Sequence, residues 1–304
     1  MRRSLAFAAG AVLAVSTAQG QAPESGPLVL LLPASPRAAA LGNAGAASRD
    51  EYAIFYNPAQ LVPSTGINAS FARYDWNGTT GAIASAVTVG TLTYGWGVEV
   101  AEFTARAAAA YPFEPDELMR RGTRNALSLV AGGGASYLLK GFRTGVGIKF
   151  AEDRVDGSST AVVASPPILH GVLLGDVGMS HRLWSGTAAL VLQNIGDHSR
   201  LRLPTQTTLA WARQKQAGEF DLGFNAQVLQ RNKWIGVGAG IEADYGWIEG
   251  WSVVARAGAR RPETLAQRPV TMGGSLNADR LQLDYALELF EHGTYAHHIA
   301  IRWR

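Results

Sequence analysis

The chain has 304 residues, no cysteine and a formal net charge of +3. Without cysteine there is no disulfide framework and no cysteine-ligated metal site, and a weak charge without any basic block gives no support to nucleic-acid binding. The 35 glycines are spread evenly along the chain, which is typical of a protein made of many strands and tight turns.

The first residues predict export. Arg2 and Arg3 form a basic start, residues 5–15 are apolar, and residues 18–20 supply the small side chains of a cleavage site. We therefore expect residues 1–20 to be a secretory signal peptide. The alternative, an uncleaved anchor helix, is disfavoured because the apolar run is shorter than the ~20 residues that a spanning helix needs.

The next segment, 21–65, precedes any strand pattern. Residues 38–41, followed by Gly42, predict a short helical turn that ends at glycine. Asn57, Pro58 and Ala59 combine an amide that donates and accepts hydrogen bonds, a ring without an N–H donor, and a side chain small enough for close approach. Two interpretations are open: a plug inside a barrel, or an ordinary Asn-Pro turn that leads into the first strand.

From residue 66 onward the dominant pattern has a period of two. In "LQLDYALEL", residues 281–289, every odd-numbered position is apolar or aromatic, whereas Asp284 and Glu288 lie on the other face. The alternation predicts fourteen strands, at 66–76, 79–89, 91–104, 125–139, 142–155, 171–183, 186–196, 204–216, 218–230, 234–246, 250–261, 269–278, 280–290 and 294–303.

The connections alternate in length. Those after even-numbered strands are short, and several after odd-numbered strands are long, such as 105–124, 156–170, 197–203 and 262–268. This alternation is typical of an outer-membrane barrel, with tight periplasmic turns and longer external loops. We therefore expect an all-β fold, a fourteen-stranded antiparallel transmembrane β-barrel over 66–304. The alternative is a soluble β-sandwich, whose strands average nearer ~5–6 residues.

Tryptophans support the membrane interpretation, because aromatic girdles mark the two interfaces of such barrels. Those at or near predicted strand ends are Trp76, Trp184, Trp234, Trp247, Trp251 and Trp303.

A strand in lipid cannot leave its edge unpaired, so a spanning barrel must close. Barrels of about eight strands fill with their own side chains, whereas ~16–18 strands leave a water channel. A fourteen-stranded lumen is open unless something occupies it, and 21–65 is the only sizeable segment outside the strand count. We also expect glycines on the inward faces to leave room along the lumen wall, at positions 95, 97, 145, 147, 236, 238 and 240.

If the apolar faces meet lipid, the polar faces line the lumen. Their function is open between a selectivity or hatch-anchoring network and ordinary lumen salt bridges. The predicted lumen residues are Lys149, Asp176, Asn225, Gln227, Glu242, Asp244, Arg256, Arg260, Asp284 and Glu288.

The sequence gives no sign of a metal, a cofactor or catalysis. His297 and His298 are adjacent, so in a strand they point to opposite faces, and Gly-x-Ser-x-Gly does not occur. We expect no enzyme activity. The loop 105–124 carries Pro115 before two acidic residues and is the best candidate for an external element that contacts a ligand or partner.

Several segments together resemble a known family. "SPRAAALGNAGAA", "DEYAIFYNPAQL", "LLGDVGM", "LVLQNIGD", "LPTQTTLAWA" and the final "HHIAIRWR" are similar in kind and order to PorV/PorQ-type proteins, within the superfamily of the FadL long-chain fatty-acid transporter. The resemblance implies an N-terminal hatch in the lumen, with Asn57, Pro58 and Ala59 as its motif. The chain departs from the family pattern at two positions. Gln60 stands where the family often has glycine. The last residue is Arg304, with the aromatic Trp303 one place earlier, and this departure lies in the strand that the barrel assembly machinery recognises.

Three functions remain open. The resemblance implies either passage of small hydrophobic molecules through the outer membrane, or a secretion role of the type IX kind with exported cargo as partner. A structural barrel is the third. In each case the expected partners include outer-membrane lipid and the barrel assembly machinery.

Overall fold

The computed structural model describes residues 27–64, 66–75, 78–103, 126–155, 168–197 and 203–303. The predicted signal peptide 1–20, Trp76 and the loop 105–124 lie outside the described residues.

Fourteen antiparallel strands form a closed barrel, as predicted. Each strand pairs with its neighbours in the sequence, and β1 pairs with β14 to close the sheet. The strands are β1 Asn68–Tyr74, β2 Gly78–Val89, β3 Leu92–Phe103, β4 Ala126–Leu139, β5 Phe142–Val155, β6 Ile168–Leu183, β7 Gly186–Gly196, β8 Gln206–Ala217, β9 Phe220–Arg231, β10 Trp234–Ile248, β11 Trp251–Arg260, β12 Gln267–Ala278, β13 Leu281–Phe290 and β14 Tyr295–Trp303.

The turns after even-numbered strands are tight, and we call the end of the barrel that they form the short-turn end. Between β4 and β5, for example, Lys140 and Gly141 have φ of 48° and 88°. Two consecutive positive φ values define the hairpin turns whose twist matches that of the flanking strands. We call the opposite end, where the connections after odd-numbered strands lie, the long-connection end.

The two faces of the wall have opposite chemistry. Ile148 and Leu173 on the outside are 63% and 65% exposed, whereas the ammonium-bearing Lys149 is only 3% exposed. Because side chains alternate across a strand, the apolar set faces outward and the polar set faces the interior. A soluble sandwich buries its apolar faces, so that alternative is wrong.

The ladder is interrupted at three places. Register shifts occur between Gly175 and Val177 in the β6–β7 pair, between Gly246 and Ile248 in the β10–β11 pair, and between Gln267 and Thr271 in the β12–β13 pair. Such bulges bend the wall locally and redirect side chains.

Residues 27–64 contain four short helical elements. They are the 3₁₀ turn Leu28–Leu31, the helix α1 Pro36–Ala40, and the 3₁₀ turns Ala53–Phe55 and Pro58–Gln60. A further 3₁₀ turn, Glu291–Gly293, joins β13 to β14. Within the described ranges, no helix combines the length and the apolar character needed to cross a membrane.

Candidate functional site in the barrel interior

Residues 27–64, which we call the N-terminal segment, lie against the inward faces of the strands. Leu28 and Val29 pack in an apolar cluster with wall residues near the long-connection end, among them Phe103 and Phe290. Further along, α1 contacts β11, β12, β13 and β14, and the turn Pro58–Gln60 contacts β4, β5 and β6. The segment therefore touches strands from widely separated parts of the wall.

Local capping positions α1. The Ser35 hydroxyl accepts a hydrogen bond from the Ala38 amide at 3.3 Å, and Pro36 occupies the first helical turn, where its missing N–H costs nothing. At the other end, the Thr271 hydroxyl accepts from the Gly42 amide at 3.0 Å and donates to the Ala40 carbonyl at 2.9 Å. The helix is thus fixed to β12 through its own backbone.

The Asn57-Pro58-Ala59 motif lies fully inside. Asn57 and Ala59 are both 0% exposed. The Asn57 side chain caps the following turn by accepting from the Ala59 amide at 3.0 Å, and its Nδ2 donates to the Ala46 carbonyl at 2.7 Å. One amide side chain therefore ties two parts of the N-terminal segment together.

Glycines of the wall allow the N-terminal segment to approach the strands closely. A Cβ on Gly145 would lie 2.4 Å from the Ala59 nitrogen, and a Cβ on Gly178 would lie 2.0 Å from Asn57 Oδ1. Gly240 approaches Leu41 in the same way. The expectation that inward glycines leave open room is wrong at Gly145 and Gly240, because the N-terminal segment fills the space that the missing side chains provide.

The same correction covers most of the other predicted glycines. Gly95 faces the Leu61 side chain, Gly97 faces Phe55, and Gly238 faces the Gly42 carbonyl. Gly236 is different, since the space above it is taken by the ring of Trp234, a wall residue.

Charged groups join the N-terminal segment to the wall near the short-turn end. Arg37 donates to both carboxylate oxygens of Glu242, at 3.1 and 2.5 Å. Arg256 donates to Glu242 at 3.2 Å and to Asp284 at 2.9 Å. Burial alone would lower the pKa of the Arg37 guanidinium, but the Glu242 carboxylate holds it above its ordinary value. We call these four residues the arginine network.

A second contact of this kind joins Glu51 to Arg302 on β14. Burial raises the pKa of the Glu51 carboxyl, the neighbouring Asp50 raises it further, and Arg302 opposes both effects. Sequence analysis missed this pair, because nothing in the pattern relates a residue before the first strand to one at the end of the last.

Two other buried clusters belong to the wall. Arg260 pairs with Glu288 at 2.5 Å, and His298 Nε2 lies 2.9 Å from the other oxygen of that carboxylate. Lys149 pairs with Asp176 at 2.7 Å.

The remaining predicted lumen residues are placed individually. Asn225 accepts a hydrogen bond from Ser48 of the N-terminal segment, and Gln227 accepts from the Ala46 amide at 3.4 Å. Asp244 is half-buried and lines a cavity at the short-turn end. The structure thus brings Asn225, Gln227 and the arginine network into contact with the N-terminal segment.

The "QNIG" stretch, residues 193–196, forms a bulge on the inner wall. Asn194 has a φ of 56°, accepts from Lys149 at 2.9 Å through its side chain, and donates through its backbone to Asp176 at 2.9 Å. Gln193 donates to the Phe55 carbonyl at 2.9 Å. The stretch therefore supports both the Lys149–Asp176 pair and the N-terminal segment.

Two cavities flank the segment. One of about 100 Å³ lies toward the long-connection end, between residues 29–33 and the wall. The other, of about 900 Å³, is bordered by the short turns at Gln216, Gly250 and Asp279, and Arg37, Glu242 and Arg256 of the arginine network line it. Among the described residues, no three His, Asp or Glu side chains are grouped so as to hold a metal ion.

Of the tryptophans predicted near strand ends, five lie among the described residues. Trp184, Trp247, Trp251 and Trp303 lie at the short-turn end and are between 40% and 73% exposed. Trp234 lies at the opposite end, where the Arg231 guanidinium sits 5.8 Å from the centre of its ring.

No protein-family model matches the chain, and no curated protein matches it. Among solved structures, the chain is similar to the CymD monoaromatic hydrocarbon channel, with 10% identity and a TM-score of 0.58 over 89% of this chain and 96% of that one. It is similar to a deltaS2 mutant of the TodX monoaromatic hydrocarbon channel, with 11% identity and a TM-score of 0.53 over 88% and 96%. It is also similar to a Pseudomonas aeruginosa FadL homologue, with 11% identity and a TM-score of 0.52 over 89% and 98%. The protein is a closed fourteen-stranded β-barrel, and its fold is similar to that of these three proteins.

Proposed function

We propose that the protein lies in the outer membrane of a bacterium and passes small hydrophobic molecules through it. The exposed apolar band on the outside of the wall supports the membrane location, because soluble proteins rarely expose large contiguous apolar surfaces. The short-turn end then faces the periplasm and the long-connection end faces outward, as in other outer-membrane barrels.

An apolar inward surface near the long-connection end carries the proposal. It is a cluster that includes Tyr74, Phe103, Val130, Leu174 and Phe290, and it lies beside the buried Arg260–Glu288 pair. Toward the short-turn end, polar and charged side chains surround the cavity of about 900 Å³. A hydrophobic molecule that enters from outside first meets a surface that favours its transfer from water.

In this proposal, residues 21–65 act as a hatch, with Asn57, Pro58 and Ala59 at its centre. The contacts that hold the segment are noncovalent. They are polar attachments, such as Arg37 to Glu242 and Ser48 to Asn225, combined with close packing of small residues on glycines. The predicted lumen residues then anchor the hatch or line the passage.

The finer identity as a PorV/PorQ-type protein rests on the sequence resemblance alone. A secretion role would use external loops to contact exported cargo, and the longest of those loops, 105–124, lies outside the described residues. The hydrocarbon-channel names of CymD and TodX agree better with the first function.

Deletion of the gene tests the proposal when uptake of labelled toluene and of long-chain fatty acid is measured together with the secreted proteome. We expect uptake of at least one hydrophobic compound to fall and to return on complementation. Loss of secreted cargo with normal uptake would support the secretion role instead. Normal uptake together with a normal secreted proteome would favour the third function, a structural barrel.

A further inference from the structure

We propose that the cavity of about 100 Å³ binds the hydroxyl end of a neutral alcohol or phenol. The inference rests on the proposed function and narrows its substrate class from hydrophobic molecules in general to those that carry one uncharged hydrogen-bond donor.

Apolar and polar groups share the lining of the cavity. The apolar part comes from residues 29–33 of the N-terminal segment with Val130 and Leu229 of the barrel, and the polar part includes Glu99, Asn43 and Lys149. Glu99 and Val130 are cross-strand partners, so groups of the two kinds are adjacent. Apolar surface next to a few placed polar groups is a feature of small-molecule pockets.

Two acceptors of the lining lack donors. Glu99 is 2% exposed, and its Oε1 has no hydrogen-bond partner; the Oδ1 of Asn43 is also buried without one. The two cations of the lining are already engaged, since Lys149 binds Asp176 and Asn194, and Arg231 binds Glu263 and Gln206. Buried acceptors without donors are unfavourable, so the cavity is complementary to a molecule that brings a donor.

Charge then selects the kind of donor. A carboxylate would offer no donor and would bring an unpaired charge among buried groups. An ammonium would bring three N–H groups and a full charge to two acceptors that lack donors, and a buried charge is costly unless it is fully paired and hydrogen-bonded. A hydroxyl brings one donor, needs one acceptor and carries no charge, so it avoids both penalties.

The size of the cavity fits the end of a molecule rather than a whole ring. It is smaller than the ~150 Å³ cavity that admits benzene, so we expect it to hold the hydroxyl and the first carbons. The remaining carbons of the ligand then lie along Leu30 and Leu31, which are partly buried beside the apolar cluster.

Calorimetric titration of the full-length protein in detergent with four probes, each with an unbranched chain of six carbons, tests the inference. The probes are 1-hexanol, hexyl methyl ether, hexylamine and hexanoate. We expect 1-hexanol to bind about tenfold more tightly than the ether, which lacks the donor, as one hydrogen bond to a buried carboxyl group predicts. Hexylamine and hexanoate should bind more weakly than 1-hexanol.

Variants assign the effect to the site. In Glu99→Leu the preference for 1-hexanol over the ether should disappear while affinity for the ether is kept, and in Glu99→Gln, which retains an acceptor, part of the preference should remain. Glu102→Leu is the matched control, because Glu102 lies on the same strand and faces outward. Heat-dependent migration in gel electrophoresis shows whether each variant is folded.

Equal binding of 1-hexanol and the ether by the unaltered protein would overturn the inference even if no variant folds. So would an unchanged preference in a folded Glu99→Leu, or tightest binding of hexanoate. Because binding is measured without passage across a membrane, a gene deletion that leaves uptake normal refutes the proposed transport and not this site. Loss of uptake combined with equal binding of the two probes refutes the site and not the transport.

Discussion

Replacing Arg37 by methionine should loosen the N-terminal segment at the short-turn end. Methionine keeps an unbranched side chain of similar reach but cannot donate a hydrogen bond. The substitution removes the bonds of 3.1 and 2.5 Å to Glu242 and leaves that carboxylate with Arg256 at 3.2 Å.

The magnitude follows from the burial of the pair. The side chains of Arg37 and Glu242 are 19% and 8% exposed, so the pair is closer to a buried than to a surface salt bridge. Breaking a buried pair costs about 3–5 kcal/mol, and because Arg256 still compensates Glu242, we expect the lower end, about 3 kcal/mol. That free energy corresponds to roughly a hundredfold increase in the population of the opened state.

Hydrogen exchange measures this population directly, because an amide exchanges only when its hydrogen bond opens. Three amides are useful. The Ala39 amide donates to the Ser35 carbonyl at 3.0 Å, and the Leu41 amide donates to the Arg37 carbonyl at 3.2 Å. The Gly42 amide donates to the Thr271 hydroxyl at 3.0 Å. Mass spectrometry of a peptide that covers 36–44 should therefore show exchange about a hundredfold faster in the variant.

Arg49→Met is the matched control. Arg49 belongs to the same segment and is exposed, and the contact that the structure records for it uses its backbone carbonyl. Exchange in the control should match that of the unaltered protein. If the Arg37 variant exchanges less than about threefold faster, or if the control rises as much, the arginine network does not hold the segment and the argument is wrong.

Three further predictions concern the hatch and the wall. Cysteines at Ser48 and Asn225, whose side chains are in contact, should form a disulfide in this otherwise cysteine-free protein, so that uptake falls under oxidising conditions and recovers with a reductant. Gly178→Ala places a Cβ 2.0 Å from Asn57 Oδ1 and should weaken the attachment of the segment by about 1–3 kcal/mol, seen as faster hydrogen exchange at 57–60. Val177→Arg puts a charge on the outer face and should cost about 2–4 kcal/mol in urea unfolding from lipid vesicles.

Each of these changes has a control in the chain. The Ser48→Cys single variant should be insensitive to oxidation, and unchanged uptake by the oxidised double variant would contradict movement of the hatch. Gly81→Ala should have little effect, because the nearest atom to its Cβ is the Ser70 carbonyl oxygen at 3.9 Å. Val177→Leu keeps the outer face apolar, and equal stability of the leucine and arginine variants would show that Val177 does not face lipid.

The strands could be predicted because the signal is local and repeated. The bounds of β5 and β7 coincide with the predicted 142–155 and 186–196, and the largest difference is at the start of β6, at residue 168 instead of 171. Alternation over ten or so residues fixes both the existence of a strand and the face that each side chain takes. Loop length then fixes the direction of successive strands, and closure follows.

The partners of inward residues could not be predicted in the same way. Alternation indicates that Glu242 and Asp284 face the interior, but not that Arg37 reaches the first of them across 205 positions of the chain. Such contacts depend on the path of the N-terminal segment, which has no periodic pattern. The prediction for glycines failed for the same reason: a missing side chain identifies a gap in the wall, and only the structure shows that Leu41, Leu61 and Asn57 occupy it.

The two ends of the N-terminal segment are held by different forces, and this difference bears on which end opens first. The Arg37–Glu242 ion pair and hydrogen bonds between the backbone and Thr271 hold α1, and no apolar ligand can replace them. Near the long-connection end, Leu28 and Val29 are held mainly by apolar contacts. Hydrogen bonds from the Val29 amide to Ser128 at 3.2 Å and from the Leu28 backbone to Asp153 add to these contacts. A hydrophobic ligand makes the same kind of apolar contact with the wall as Leu28 does. It can therefore replace Leu28 there with little net change in free energy. We therefore expect ligand binding to loosen residues 28–32 while the arginine network still holds α1. As ligand is added, hydrogen exchange should rise first at the amides of 28–32 and only later at those of 36–44.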